Sequence, residues 1–185
     1  MNLTTEQKKT VTASFLGWTL DAFDFFLLTF LLTDIAAEFQ TDVPAVSKAL
    51  FESDVAGLTE RIVTSRNWKL YSREFPILDV GFRGDGRVEL RLRLIANNWN
   101  EQPPSVELLN AAGEFLAQAP QRPGSSIFNN GPHPGTGKPF VCMIGTREYH
   151  THSSHVNDRW ENYKSKVTLG GIVTQIWNAW LKSTP

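Results

Sequence analysis

The chain has 185 residues, 41% hydrophobic and 20% charged, with 18 Lys plus Arg against 19 Asp plus Glu and a formal net charge of −1. This is the composition of a folded chain with one ordinary domain and room for a short extra segment, and it has no basic excess of the kind that binds nucleic acid. The single cysteine excludes a disulfide framework, a CxxC redox pair and a four-cysteine zinc site.

Residues 1–50 hold three lysines against six acids, a net of −3, and six of the twelve phenylalanines, which leaves +2 for the rest. Residues 10–33 contain only two charges, Asp21 and Asp24, and are long enough for a single bilayer crossing. Two carboxylates near the middle of that run cost about 2.5–3.5 kcal/mol each on insertion scales, so a lone span is marginal. The run is interrupted and no A-x-A site follows it, which argues against a cleavable signal peptide. If it inserts, Lys8 and Lys9 keep the N-terminus cytoplasmic.

The words SFLGWTLDAFDFFLLTFLLTDIAAEF resemble the first transmembrane helix of major facilitator transporters, the carboxylate-permease branch in particular. Such transporters need many helices and this chain offers at most one, so transport is not expected. The organisation that follows is a hydrophobic segment over residues 1–43 and a domain of separate origin over residues 44–185. The expected location is the cytoplasm, with membrane anchoring if residues 10–33 insert.

From Pro44 the pattern changes. Val46, Leu50, Val55, Leu58 and Ile62 mark one amphipathic helix, with Pro44 near its first turn. Residues 76–83 alternate as a strand, Gly84-Asp85-Gly86 is a hairpin turn, and residues 88–94 alternate as a strand with one wet face bearing Arg91 and Arg93. A third apolar run, residues 106–109, follows Pro103-Pro104. The three read as an antiparallel meander. Residues 117–139 are Pro- and Gly-rich and read as a long loop, closed by a short apolar run at 140–144. Leu169, Ile172, Val173, Ile176, Trp177 and Trp180 share one helical face, with Thr168 placed to cap it, and Trp160, Trp177 and Trp180 are expected in the core. The expected fold is α+β: a four-stranded antiparallel meander flanked by helices, with an extra hydrophobic N-terminal helix.

This order resembles the ubiquitin-conjugating-enzyme (UBC) fold over residues 45–182. Asn98-Trp99-Asn100-Glu101-Gln102-Pro103-Pro104 looks like the segment before that family's third strand. His133-Pro134-Gly135 looks like its His-Pro-Asn signature, and Cys142 stands close to the catalytic cysteine's place. Gly135 replaces the Asn that serves the oxyanion in the family, and a histidine-rich loop replaces the helix after the cysteine. The string from Cys142 to His155 also resembles a bacterial metal-binding domain named for its Cys-Glu-His-His set. That family occurs beside ubiquitin-like proteins, ThiF-type activating enzymes and JAB-type peptidases. The resemblance implies Cys142, Glu148, His150 and His155 as zinc ligands, with His152 as an alternative.

Two chemistries compete for Cys142. Thiolate, imidazole and carboxylate are all competent zinc ligands, and an extended 148–152 would put Glu148, His150 and His152 on one face. The other chemistry is that of a nucleophile accepting a ubiquitin-like C-terminus as a thioester. In that case a neighbouring imidazole acts on the thiol or the attacking amine, and His133 or a main-chain N–H stands in for the missing Asn. A third, plainer reading is a small packed thiol. The sequence contains no nucleotide loop, serine-hydrolase elbow or dinucleotide fingerprint.

Overall fold

The computed structural model describes residues 43–84, 86–121 and 126–183, and isolated positions 4, 7, 9–11 and 14 before them. The chain divides into two units, Met1–Asp42 and Val43–Pro185. In the first, Thr4 and Gln7 exchange side chain-to-main chain hydrogen bonds as a capping box, at 2.9 and 3.3 Å. Most of the transporter-like run lies outside the described residues. No helix among the described residues is long and apolar enough to cross a membrane.

The second unit is α+β. Two helices, α1 (Val43–Ala56) and α2 (Glu60–Ser65), stand where the spacing predicts one. The break comes at Gly57-Leu58-Thr59. Leu58 N–H folds back onto the Val55 carbonyl at 3.0 Å, and Thr59 is extended (φ −66°, ψ 157°). Glycine carries the lowest helix propensity after proline, and Leu58 gains burial by turning inward there. The inward face is also rotated from the expected one. Phe51 and Val55 are buried, whereas Val46 and Leu50 are exposed at 47% and 37%. Buried Ser47 donates to the Trp99 carbonyl at 3.1 Å.

The sheet runs in sequence order, β1 (Trp68–Glu74), β2 (Ile77–Phe82), β3 (Leu90–Ile95) and β4 (Ser105–Leu109), all antiparallel. The register puts Leu78, Leu94 and Val106 in one cross-strand row and Val80, Leu92 and Leu108 in the next, and all six are buried. A buried Leu or Val contributes about 1.5–3 kcal/mol, so these rows are a main source of the unit's stability. Val88, expected in the strand over residues 88–94, is 77% exposed and precedes β3.

The opposite face of the sheet is not the solvated one that the alternation suggests. Asp79, Arg93 and Glu107 form one cross-strand row. Arg91 grips the Asp79 carboxylate through two bonds of 2.7 and 2.8 Å, while Arg93 reaches Asp79 at 2.9 Å and Glu107 at 3.3 Å. The Tyr71 ring lies 3.9 Å beneath the Arg91 guanidinium. Gly81 leaves the room for this, since a Cβ there would stand 2.7 Å from Glu89 Oε1 and 2.9 Å from Tyr71 Cε2.

A two-stranded pair, β5 (Phe128–Asn129) with β6 (Phe140–Val141), brackets residues 130–139, so that β5 falls inside the stretch 117–139 expected to be loop. A short helix, α3 (Arg147–His150), three 3-10 turns and the helix α4 (Leu169–Trp180) complete the unit. The Thr168 side chain accepts from Gly171 N–H as the cap of α4, and Asp54 of α1 accepts from Leu169 N–H at 3.0 Å, complementing the positive end of the helix. Leu169, Ile172, Val173, Ile176 and Trp180 are buried, Trp160 is 5% exposed, and half-buried Trp177 meets Trp68 edge-on at 5.6 Å.

Candidate functional site

The site is built on the turn that leaves β6. Cys142 N–H donates to the Ile127 carbonyl at 2.7 Å, extending the β5–β6 pairing to the cysteine. Thr146 is fully buried, with its hydroxyl 3.0 Å from the Val141 carbonyl and 2.9 Å from that of Met143. The same oxygen accepts Tyr149 N–H and so caps α3. Gly145 holds φ +97°, and a Cβ there would meet Val167 Cγ1 at 2.9 Å. Thr146 and Gly145 together fix the backbone that presents Cys142.

Residues 147–150 are helical, not extended, and this scatters the expected ligand set. Residues two apart on a helix point about 200° from one another. Glu148 turns toward β4, where both carboxylate oxygens lie 3.1 Å from Val106 N–H. Burial is the main cause that pushes its pKa up to about 7. Arg147 docks on the same segment, its N–H on the Pro104 carbonyl and its Nε on that of Pro103, at 2.9 and 3.1 Å. His150 points the other way, with Nδ1 2.6 Å from the Asp158 carbonyl oxygen and Nε2 accepting Gly145 N–H at 3.2 Å. These partners assign its tautomer and occupy both ring nitrogens.

His155 is the group brought to the cysteine. Its Nε2 lies 3.5 Å from Cys142 Sγ. Its ring stacks on Tyr149, with centroids 3.9 Å apart and planes at 17°, and its Nδ1 faces Asp158 Oδ2 at 3.7 Å. Asp158 is the hub of the loop: its carboxylate accepts the Tyr149 hydroxyl at 2.6 Å and lies 3.4 Å from that of Tyr163, while its carbonyl takes His150. The Tyr149 bond holds the Asp158 carboxyl below the usual range, and the Asp158 carboxylate pushes Tyr149 up to about 12. Burial pushes the Cys142 thiol up. At neutral pH it is therefore mostly protonated, and nucleophilic work from it requires a base. His155 is the imidazole within reach.

His133, expected beside the thiol, is buried, and its ring is engaged on both sides. Nδ1 accepts Gly135 N–H at 3.1 Å, and Nε2 meets the Glu148 carbonyl at 3.0 Å. It ties the His-Pro-Gly turn to α3. His152 lies nearly parallel to Phe140, with centroids 5.7 Å apart, and its Nδ1 faces Ser154. Of the expected set, the structure brings Cys142 and His155 together and leaves Glu148, His150 and His133 with main-chain partners. Among the described residues, no group of three or more His, Cys, Asp or Glu is placed to hold a metal ion.

The thiol also lines a cleft of about 430 Å3, walled on one side by Ser126, Cys142 and Met143 and on the other by Gln175, Asn178 and Lys182 of α4 and its end. Sequence reasoning missed the α4 residues, as it missed Tyr149 and Asp158. A signal for the former exists: 175, 178 and 182 follow the i, i+3, i+7 spacing of one helical face, opposite the apolar stripe. For Asp158 the sequence holds none, since a carboxylate three residues beyond a loop histidine is ordinary. No protein-family model matches the chain, and no curated protein matches it.

Proposed function

We propose that the chain is a component of a bacterial ubiquitin-like conjugation pathway, a UBC-like carrier that holds the C-terminus of a ubiquitin-like protein as a thioester on Cys142. The observation that carries this reading is the thiol–imidazole pair, Cys142 Sγ to His155 Nε2 at 3.5 Å, on the wall of an open cleft. His155 removes the thiol proton, and Tyr149 and Asp158 hold its ring in place. The order of helix, antiparallel sheet, Pro-Pro, His-Pro-Gly turn, cysteine and helix supports the UBC likeness. The donor is then a thioester of the ubiquitin-like protein on a ThiF-type activating enzyme, a JAB-type peptidase is the natural partner for removal, and the cytoplasm is the compartment.

The test incubates the full chain with a ubiquitin-like protein, its activating enzyme and ATP. An adduct that thiol reductant cleaves, and that Cys142→Ser converts to a reductant-resistant ester, supports the reading. No adduct with any cognate pair overturns it.

One observation favours a second reading, a zinc-binding structural or interaction module: Cys142 and His155 offer a sulfur and an imidazole nitrogen close together. As they stand, Glu148 and His150 do not complete a tetrahedral site, because Val106, Gly145 and the Asp158 carbonyl hold them. About one zinc per chain, lost in both Cys142→Ala and His155→Ala, would replace the carrier reading with this one.

A further inference from the structure

We infer that Cys142, His155 and Asp158 act together as a hydrolytic triad, and that the chain cleaves esters and thioesters of small carboxylic acids by way of an acyl group on Cys142. This activity shares its thiol with the carrier reading and does not rest on it. Three observations carry it. His155 Nε2 stands 3.5 Å from Cys142 Sγ, so the ring can take the thiol proton. The other ring nitrogen, Nδ1, faces Asp158 Oδ2 at 3.7 Å. A carboxylate on that side favours the tautomer with its proton on Nδ1, which leaves Nε2 as the base, and it stabilises the imidazolium once formed. One tyrosine holds both partners: the Tyr149 hydroxyl donates to Asp158 Oδ2 at 2.6 Å, and its ring stacks on His155. The third observation is the cleft of about 430 Å3 that the thiol lines, which has room for an acyl chain and a water molecule.

In the first half of the reaction His155 Nε2 takes the Cys142 proton, the sulfur adds to the acyl carbon and the C=O π pair moves onto oxygen. Collapse re-forms C=O and expels the alkoxide or thiolate, which departs with the proton from His155. The acyl group then stands on Cys142, and His155 Nε2 no longer faces a thiol proton. It accepts instead from a water in the cleft. The water oxygen adds to the acyl carbon, and collapse expels the Cys142 thiolate, which recovers its proton from His155. One ester or thioester and one water give one carboxylic acid and one alcohol or thiol, with nothing else consumed. A base held against the sulfur serves both halves. That is what separates a hydrolase from a carrier, whose thioester has to outlast the wait for its acceptor. Where the thiol also takes up a ubiquitin-like C-terminus, the triad discharges acyl groups that no amine collects.

The test gives the full chain, with chelator present, the thioester of N-acetylglycine with mercaptoethanesulfonate. It reads released N-acetylglycine by chromatography and the acylated protein by mass after an acid quench. The expected result for wild type is many turnovers per chain, with an acyl group on Cys142 in the quenched samples, and no turnover above buffer in Cys142→Ala. His155→Ala should lose about a hundredfold in turnover. Added imidazole should return part of that loss, which a collapsed fold would not allow. Asp158 is a positioning residue: Asp158→Asn should lower kcat several-fold with KM little changed, and Asp158→Glu, which keeps the charge, should recover most of the loss. Release of one equivalent followed by a stable acyl group on Cys142 overturns the inference and leaves the carrier reading standing. Absence of any turnover overturns it too, as does turnover that survives in Cys142→Ala or His155→Ala. Asp158→Glu no faster than Asp158→Asn removes the carboxylate from the triad and overturns it as stated. Turnover in wild type without any adduct to a ubiquitin-like protein leaves this activity in place and removes the carrier.

Discussion

The outer face of the sheet and the loop from Cys142 to Asp158 are both dense in charged and hydrogen-bonding side chains, and they obey different rules. On the sheet, antiparallel register converts sequence spacing directly into contact, so Asp79, Arg93 and Glu107 face one another across three strands. In the loop, four helical residues followed by a 3-10 turn send neighbouring side chains to different parts of the molecule. Glu148 goes to β4, His150 to Gly145 and Asp158, and His155 to the cysteine. Charge density alone therefore does not identify a site. On the sheet it satisfies itself, while in the loop it leaves one thiol and one imidazole facing each other.

The contrast can be broken most severely at Asp79. Its side chain is 3% exposed between two arginines, so Asp79→Ala should cost about 3–5 kcal/mol in urea unfolding, the price of leaving buried charge uncompensated. A loss below 1 kcal/mol would show that the sheet face is solvated after all. Next comes Glu148. In the folded chain it keeps its proton to about pH 7, against 4.5 for its ordinary value. Its contribution to stability is thus fully present below 4.5 and lost as pH rises through 7, about 3 kcal/mol in all. Denaturation of wild type from pH 4 to 8 should show that decline, and Glu148→Gln should flatten it.

His150→Ala leaves Gly145 N–H and the Asp158 carbonyl without their partner and should cost about 1–3 kcal/mol whether or not zinc is present. If the loss disappears in chelator, His150 is a ligand and not a brace. The smallest expected effect on stability is that of His152→Ala, within about 0.5 kcal/mol as for most surface changes. Asp158→Asn should slow alkylation of Cys142 several-fold at pH 7, because the Tyr149–His155 stack loses its anchor. Equal alkylation rates would remove Asp158 from the site.

Alternation in residues 76–83 and 88–94, and helical spacing in 169–180, made β2, β3 and α4 legible, with bounds off by a residue or two. β1 was not, because Trp68 is its sole buried residue and a register shift between Leu70 and Ser72 erases the period. The α1–α2 break was hidden because Leu58 and Ile62 continue the helical spacing across Gly57. In the loop, the cysteine, the histidines and Glu148 were legible as residues but not as an arrangement. The Thr146 cap decides that 147–150 is helical, and this alone sends Glu148 and His150 apart. The nearness of Cys142 and His155, thirteen positions apart, comes from the turn at 153–155 and from the Tyr149 stack, neither of which has a spacing signature.

The docking of α3 on β4 has a consequence for how copies of this protein meet. In a four-stranded sheet the first and last strands offer unpaired main-chain groups, a template on which another chain can add. On β4 and the approach to it three of these groups are already taken: Val106 N–H by Glu148, the Pro104 carbonyl by Arg147 N–H at 2.9 Å, and the Leu108 carbonyl by Leu116 N–H at 3.0 Å. Pro103 and Pro104 have no N–H to offer. At the other border β1 carries the register shift and the exposed charges of Lys69, Arg73 and Glu74, which spoil a flat edge. A strand added along β4 at Val106 has to displace α3. The segment that carries the thiol's neighbours thus also covers part of the β4 edge.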